Sequence, residues 1–106
     1  VSTQVKEKIG IAIGLNNTKL IISGASALPS ATIKWFQNLG VKIQETYGMT
    51  EAMGIVILQP LNDTRLNSTG KRLEEGEIKI DSDNNEILIK NSWMFSKYHN
   101  EPELTV

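Results

Sequence analysis

A short apolar run, a helical pattern and a second short apolar run follow one another in the N-terminal half, and this succession constrains the fold most. Residues 19–23 (KLIIS) are rich in β-branched side chains and predict a buried strand. Residues 31–39 have helical apolar spacing after Ser30, a good N-cap, and Gly40 fits the left-handed position that ends a helix. Residues 41–44 predict the next strand. The order predicts a βαβ unit with parallel strands and a right-handed crossover.

Further elements flank this unit. Residues 4–13 predict a preceding helix, weakened by two glycines, because their apolar side chains recur at helical spacing. Residues 76–80 and 86–90 predict two strands of a hairpin, joined by a stretch rich in turn formers. The polar stretch before the hairpin divides the chain into an α/β part over residues 1–62 and a β-hairpin part over residues 63–106.

Two loops leave the carboxyl ends of the predicted parallel strands, which is where sheets of this kind bind ligands. The first loop covers residues 23–29 and the second covers residues 46–53. Both loops lie at the same edge of the sheet in a βαβ unit. We therefore expect residues 24–27 and residues 47–51 to line one crevice.

The residue types in these loops suit a nucleotide. Tyr47 offers a ring face for stacking, and Gly48 lets a ligand approach the backbone closely. Thr50 offers a hydroxyl to a phosphate oxygen, and the Glu51 carboxylate is a hard ligand of the kind that Mg²⁺ prefers. Plainer interpretations stay open: residues 24–27 also suit a simple strand-to-helix turn, and Thr50 followed by Glu51 also suits an N-cap with a first-turn carboxylate.

Other classes of function find little support. Eleven basic and twelve acidic residues are interspersed and leave a net charge of −1, so we expect no nucleic-acid binding. The absence of cysteine excludes disulfides and thiolate metal sites and fits a cytoplasmic protein. Gly70 and Lys71 are followed by Arg72, which does not make a phosphate-binding P-loop. His99 stands alone in a polar segment and predicts a solvated side chain.

The order and spacing of four segments resemble the adenylate-forming superfamily, which includes acyl-CoA synthetases, luciferases and the adenylation domains of peptide synthetases. The segments are LIISGASALP, GVKIQETYGMTE, STGKRLEEGEIKI with NEILIK, and MFSKYHNEPELT. The residue pattern of the first two segments most resembles that of long-chain fatty acid–CoA ligases. The resemblance covers nearly the whole chain and implies an α/β fold of the acyl-CoA synthetase type. The parallel-sheet unit would be followed by the start of an antiparallel β-barrel subdomain.

The resemblance assigns an adenine site to the two loops. Tyr47 would stack on the adenine ring, and three small residues would lie along the other edge of that ring. These residues are Gly24, Ala25 and Ser26. The implied cofactors are ATP or AMP, Mg²⁺ and coenzyme A, and the implied partners are small molecules.

The resemblance also assigns the catalytic residues. Thr50 would contact the α-phosphate, Glu51 would act through Mg²⁺, and Gly48 and Met49 would lie beside the acyl carboxylate. A carboxylic acid would attack the α-phosphate of ATP to give acyl-AMP and pyrophosphate, and the thiol of coenzyme A would then displace AMP. Alternatives stay open: transfer of the acyl group to a carrier protein, or a module of the same fold without catalytic activity.

Three departures from the family's pattern stand out. The usual Gly-Tyr-Tyr reads Lys97-Tyr98-His99, residues 74–76 read EEG, and Arg72 stands where proline is common. We expect these changes to lie away from the nucleotide loops. The family's upstream phosphate loop, its downstream Thr-Gly-Asp and its C-terminal lysine are missing from these residues. We therefore expect an isolated fragment to be inactive and to self-associate, with peripheral membrane association open for the parent enzyme.

Overall fold

The computed structural model describes residues 2–105, so the end positions 1 and 106 of the two predicted parts lie outside it. The described elements are α1 (Thr3–Ala12), β1 (Ile22–Ser23), α2 (Ser30–Asn38), β2 (Gln44–Met49), a 3-10 turn (Thr50–Ala52), β3 (Gly54–Leu58), β4 (Lys71–Arg72), β5 (Gly76–Ile80), β6 (Ile87–Asn91) and a short 3-10 helix (Pro102–Leu104). They form two sheets, one in the order β1-β2-β3-β4 and one made of β5 and β6. No helix within residues 2–105 is long and apolar enough to cross a membrane.

The predicted βαβ unit is present, with different strand bounds. β1 runs parallel to β2, and Ile22 and Ser23 pair with Gln44 and Glu45. The first predicted strand, residues 19–23, is shortened to its last two residues. The second, residues 41–44, was placed wrongly, because β2 begins only at Gln44 and continues to Met49.

The end of α2 explains why β2 starts late. Gly40 has a φ of 83°, and the N–H of Val41 donates to the carbonyl oxygen of Phe36 at 3.0 Å. Val41 therefore closes the helix end and is not free to join the sheet. At the other end of α2, Ser30 is not the N-cap as predicted; Pro29 holds that position, and the Ser30 hydroxyl donates to Oδ1 of Asn67.

A hairpin of β2 and β3 replaces most of the second predicted loop. β3 runs antiparallel to β2, and the 3-10 turn with the left-handed Met53 (φ 58°) connects them. Tyr47 faces Ile57 and Gly48 faces Ile55, so Val56 of β3 is the extra residue of a β-bulge. The carbonyl oxygen of Val56 accepts a hydrogen bond from the N–H of Leu73 at 3.0 Å, next to β4. The sheet is therefore mixed, with one parallel and two antiparallel pairings.

The buried residue Gln59 forms hydrogen bonds both to the loop after β3, residues 59–70, and to β2. Its side-chain amide donates to the carbonyl oxygens of Arg65 and Ser68, and its backbone N–H donates to the carbonyl oxygen of Glu45 at 3.0 Å. The side-chain amide of Gln44 donates in turn to the carbonyl oxygen of Gln59. These bonds satisfy backbone groups that the loop would otherwise leave unpaired.

The predicted second hairpin is confirmed. β5 and β6 are antiparallel, from Gly76 opposite Asn91 to Ile80 opposite Ile87. The turn between them is closed by Asn85, which has a φ of 60°. A two-stranded sheet does not by itself make a barrel, so the barrel subdomain and the division of the chain into two parts stay predictions.

The core is small for a chain of this length. Within residues 2–105, four hydrophobic residues are buried: Ile33, Ile43, Ala52 and Val56. The radius of gyration is 17.7 Å, against about 13 Å for an independent domain of this size. Large apolar side chains such as Trp35, Met53 and Ile80 are exposed. The chain therefore lacks the compactness that a self-contained domain of this length would have.

Candidate functional site

The loop after β1 lies against β2, as the βαβ prediction requires. A Cβ built on Gly24 would be 3.1 Å from Oγ1 of Thr46, so the first loop passes directly beside the residue that precedes Tyr47. The N–H of Leu28 donates to Oε1 of the buried Glu45 at 3.2 Å. One strand, β2, thus fixes the near side of the loop at both Gly24 and Leu28.

The backbone of this loop is open to solvent. Gly24, Ala25 and Ser26 are all exposed, and Ala25 has a φ of 67°. The left-handed region costs an alanine about 1–3 kcal/mol, and such residues concentrate where a structure serves a ligand. The exposed backbone is open to the predicted edge of a flat ring, and it is equally compatible with a plain strand-to-helix turn.

Tyr47, Gly48 and Met49 lie within β2 and not in a loop, which corrects the sequence prediction. Tyr47 is half-buried, while Gly48 and Met49 are exposed. A Cβ on Gly48 would lie 2.1 Å from the carbonyl oxygen of Gly54 on the neighbouring strand. Glycine is therefore required at position 48 by the hairpin itself, a reason that the sequence did not reveal.

Thr50 and Glu51 form a single 3-10 turn at the end of β2. The N–H of Met53 donates to the carbonyl oxygen of Thr50 at 2.9 Å, and Ala52, the last residue of the turn, is fully buried. Met49, in extended conformation, holds the N-cap position, so the alternative in which Thr50 caps a helix is wrong. The tight turn places the exposed Thr50 and the half-buried Glu51 side by side.

Glu51 is held by the segment that follows β6, residues 93–98. The hydroxyl of Tyr98 donates to Oε1 of Glu51 at 2.5 Å, and the N–H of Phe95 donates to the carbonyl oxygen of Glu51 at 2.9 Å. The hydrogen bond from Tyr98, helped by a backbone hydrogen bond at Glu51, lowers the pKa of the Glu51 carboxyl, and desolvation opposes this in part. The same bond, with desolvation, raises the pKa of the Tyr98 phenol.

This contact is made by Tyr98, the one residue of Lys97-Tyr98-His99 that keeps the tyrosine of the family's pattern, so the expectation that the changed residues Lys97 and His99 lie away from the nucleotide loops stays a prediction. Tyr98 contacts the carboxylate predicted to bind the metal, whereas His99 is exposed as predicted. Sequence reasoning missed Tyr98 although it stands inside one of the four matched segments. Nothing in the sequence alone shows that residues 47 positions apart meet.

A single carboxylate is compatible with the way proteins bind Mg²⁺. Residues 2–105 contain no cluster of three histidine, cysteine or acidic side chains that would hold a metal by themselves. Mg²⁺ is bound through one or two carboxylates together with substrate phosphates and water. Glu51, with one carboxylate oxygen engaged by Tyr98, fits that pattern.

A large open cleft lies elsewhere. It measures about 870 Å³ and is lined by α1, by the residues before β1 and by the turn after α2. None of the eight predicted site residues lines it. The residue types at the end of β2 and in the loop beside it, and not the size of a cleft, therefore define the candidate site.

Comparisons with known proteins show which proteins this chain resembles. The family model for AMP-binding enzymes matches residues 4–99. The malonate–CoA ligase of Arabidopsis thaliana is 36% identical over 102 residues, covering 89% of this chain and 17% of that protein. The long-chain fatty-acid–CoA ligase FadD15 of Mycobacterium bovis is 28% identical over 101 residues, covering 95% of this chain and 16% of that protein.

A solved structure shares the fold. The anthranilate CoA ligase AuaEII, in complex with anthranoyl-AMP, superposes with a TM-score of 0.78 at 27% identity and covers 86% of this chain and 20% of that chain. The chain thus spans less than a fifth of the length of the two ligases compared by sequence. The resemblance drawn from the four segments is confirmed, and the chain belongs to the adenylate-forming family of AMP-binding enzymes.

Proposed function

We propose that this chain forms one wall of the adenylate site in an ATP-dependent acid–CoA ligase. The observation that carries the proposal is the arrangement along β2. Gly24 lies beside Thr46, Tyr47 follows it, and the strand ends in the Thr50–Glu51 turn. A stacking ring on β2, an open backbone edge in the loop beside that strand, and a hydroxyl and a carboxylate in the turn that follows it therefore lie on neighbouring segments.

Each residue contributes binding or orientation. The Tyr47 ring packs on adenine, while the exposed backbone at Gly24, Ala25 and Ser26 borders the ring edge. The Thr50 hydroxyl donates to an oxygen of the α-phosphate and so orients it for in-line attack by the carboxylate of the acid. Charge builds up on phosphate oxygens during such a transfer, so positioned donors lower the barrier more than a general base does.

Glu51 supplies the negative charge for a cation at the phosphates. When bound, Mg²⁺ neutralises charge on the phosphate oxygens and fixes their positions. The Glu51 side chain is half-buried beside Thr50, within one turn of the strand end. Removing the charge by Glu51→Gln should therefore weaken adenylation while the hairpin stays folded.

The acid and the acceptor are finer parts of the proposal. The three similar enzymes are named for a long-chain fatty acid, malonate and anthranilate, so this segment fits ligases for different acids. We propose a long-chain fatty acid because the style of the strand and loop segments is nearest to ligases for those acids. Coenzyme A is the proposed acceptor, and a carrier protein is the alternative.

The test is an acid panel assayed with the full-length protein that carries this segment. We expect ATP–pyrophosphate exchange that depends on a carboxylic acid, is greatest with a long-chain fatty acid and releases AMP when coenzyme A is added. Acid-dependent exchange with no AMP release on adding coenzyme A, but with AMP release on adding a carrier protein, would favour the alternative acceptor. No exchange with any acid would overturn the ligase proposal in favour of a module without catalytic activity.

The isolated 106-residue chain is the matching control. We propose that it is inactive, because it provides only one wall of the site and an open surface opposite. Robust exchange by the purified chain would contradict this part of the proposal.

A further inference from the structure

We propose that Tyr98 is a positioning residue that orients the Glu51 carboxylate toward the phosphates of the bound nucleotide. The inference deepens the proposed function and rests on it. It starts from the hydrogen bond that the Tyr98 hydroxyl donates to Oε1 of Glu51. This bond joins the segment after β6, residues 93–98, to the 3-10 turn.

Two hydrogen bonds from one segment fix both the backbone and the side chain of Glu51. The N–H of Phe95 holds the Glu51 carbonyl oxygen at 2.9 Å, and the Tyr98 hydroxyl holds Oε1. A carboxylate on a short turn would otherwise rotate about its side-chain torsions. Together these bonds restrict Glu51 to one orientation.

Tyr98 is itself well held. Its N–H donates to Oγ1 of Thr105 at 3.0 Å, and its ring packs edge-on against Phe95 with centroids 4.6 Å apart and planes at 71°. The ring is half-buried. Such edge-to-face pairs stabilise a defined ring position. The phenol therefore acts as a fixed donor, which is what a positioning residue requires.

The bond leaves one carboxylate oxygen of Glu51 for a ligand. Oε1 accepts from Tyr98, so Oε2 would be the oxygen that binds a cation at the phosphates. Groups that hydrogen-bond a metal-binding carboxylate commonly change metal affinity or activity about 10–100-fold when they are removed. Tyr98 has the position and the chemistry of such a group.

The test is Tyr98→Phe in the full-length enzyme, since this change removes only the hydroxyl and keeps the ring against Phe95. We expect a fall of about 10–100-fold in acid-dependent ATP–pyrophosphate exchange and a similar rise in the Mg²⁺ concentration for half-maximal exchange. Calorimetric titration of the protein with Mg²⁺ and a non-hydrolysable ATP analogue should show weaker binding. His99→Gln, a change at the exposed neighbouring residue, should leave all three unchanged.

A double substitution separates positioning from general support. In a Glu51→Gln background, Tyr98→Phe should have little further effect, because the carboxylate that it orients is gone. Additive losses, or loss of activity and melting temperature with an unchanged Mg²⁺ dependence, would reduce Tyr98 to a structural contact and overturn the inference. An active wild type with an unaffected Tyr98→Phe variant would overturn this inference alone; an inactive wild type would overturn the ligase proposal and the inference with it.

Discussion

Replacing Gly48 by alanine tests the packing of the β2–β3 hairpin that carries the site. The added Cβ would lie 2.1 Å from the Gly54 carbonyl oxygen, 2.7 Å from the Gly54 carbonyl carbon and 2.9 Å from Cα of Ile55. Favourable contact between carbon atoms begins at about 3.5 Å. All three neighbours are backbone atoms, so no side chain can rotate away and the strands must separate.

The expected cost follows from that geometry. Overpacking typically costs about 1–3 kcal/mol, and a backbone clash belongs at the upper end because it also lengthens hydrogen bonds of the ladder. A loss of about 3 kcal/mol corresponds to a change on the order of 100-fold in an opening equilibrium. Gly48→Ala should therefore reduce protection of the hairpin amides by about that factor.

Hydrogen exchange read by mass spectrometry measures this locally in the full-length protein. Gly10→Ala is the matched control, because a Cβ on Gly10 meets nothing within 4 Å and Gly10 lies inside α1. Gly10→Ala should raise the opening free energy of the α1 amides by about 0.5–1 kcal/mol and leave the exchange of the β2–β3 amides unchanged. Unchanged exchange of β2 and β3 in Gly48→Ala would refute the packing argument.

Two further predictions concern the contacts around the site. The stabilising effect of the Glu51–Tyr98 hydrogen bond, measured as the difference in unfolding free energy between wild type and Tyr98→Phe, should shrink at both pH extremes. The pKa of Glu51 is lowered in the folded protein, so the stabilising effect is present above about pH 4.3 and is lost as the pH falls through the folded pKa of Glu51. The pKa of Tyr98 is raised, so the stabilising effect is present below about pH 10 and is lost as the pH rises through the folded pKa of Tyr98. A pH-independent difference would contradict this account. Gln59→Leu should lower the free energy of unfolding by about 2–3 kcal/mol, since it leaves the carbonyl oxygens of Arg65 and Ser68 without their donor. Limited proteolysis should then cut the loop at residues 60–70 faster than in the wild type. An unchanged rate of cleavage would argue against the role of Gln59.

The sequence was most informative where a pattern is local. The βαβ succession and the second hairpin depend on apolar periodicity and turn residues, and both were predicted. The strand β3 was missed, although an apolar run covers residues 55–58, just before Pro60; the predicted loop, residues 46–53, ends where this strand begins. The pairing of β3 with β2 gives a steric reason for glycine at position 48, in addition to the ligand approach that the sequence suggested.

Long-range contacts were beyond the sequence. Three kinds of hydrogen bond join residues that are apart along the chain: the bond between Tyr98 and Glu51, the bond accepted by the Glu45 carboxylate, and the bonds donated by the Gln59 side chain. No local propensity encodes such pairs, because they depend on how the two hairpins and the loops pack. The residue types of the site were predictable, but the partners that hold them were not.

The most direct test of the central claim is a crystal structure of the full-length protein with a non-hydrolysable acyl-adenylate analogue. Our account predicts the adenine ring stacked on Tyr47 and bordered by the backbone of residues 24–26. It also places a phosphate oxygen within about 2.7–3.2 Å of a donor on Thr50. An analogue bound with its adenine away from β2, and its phosphate out of reach of the Thr50–Glu51 turn, would contradict the assignment of this chain to the wall of an adenylate site.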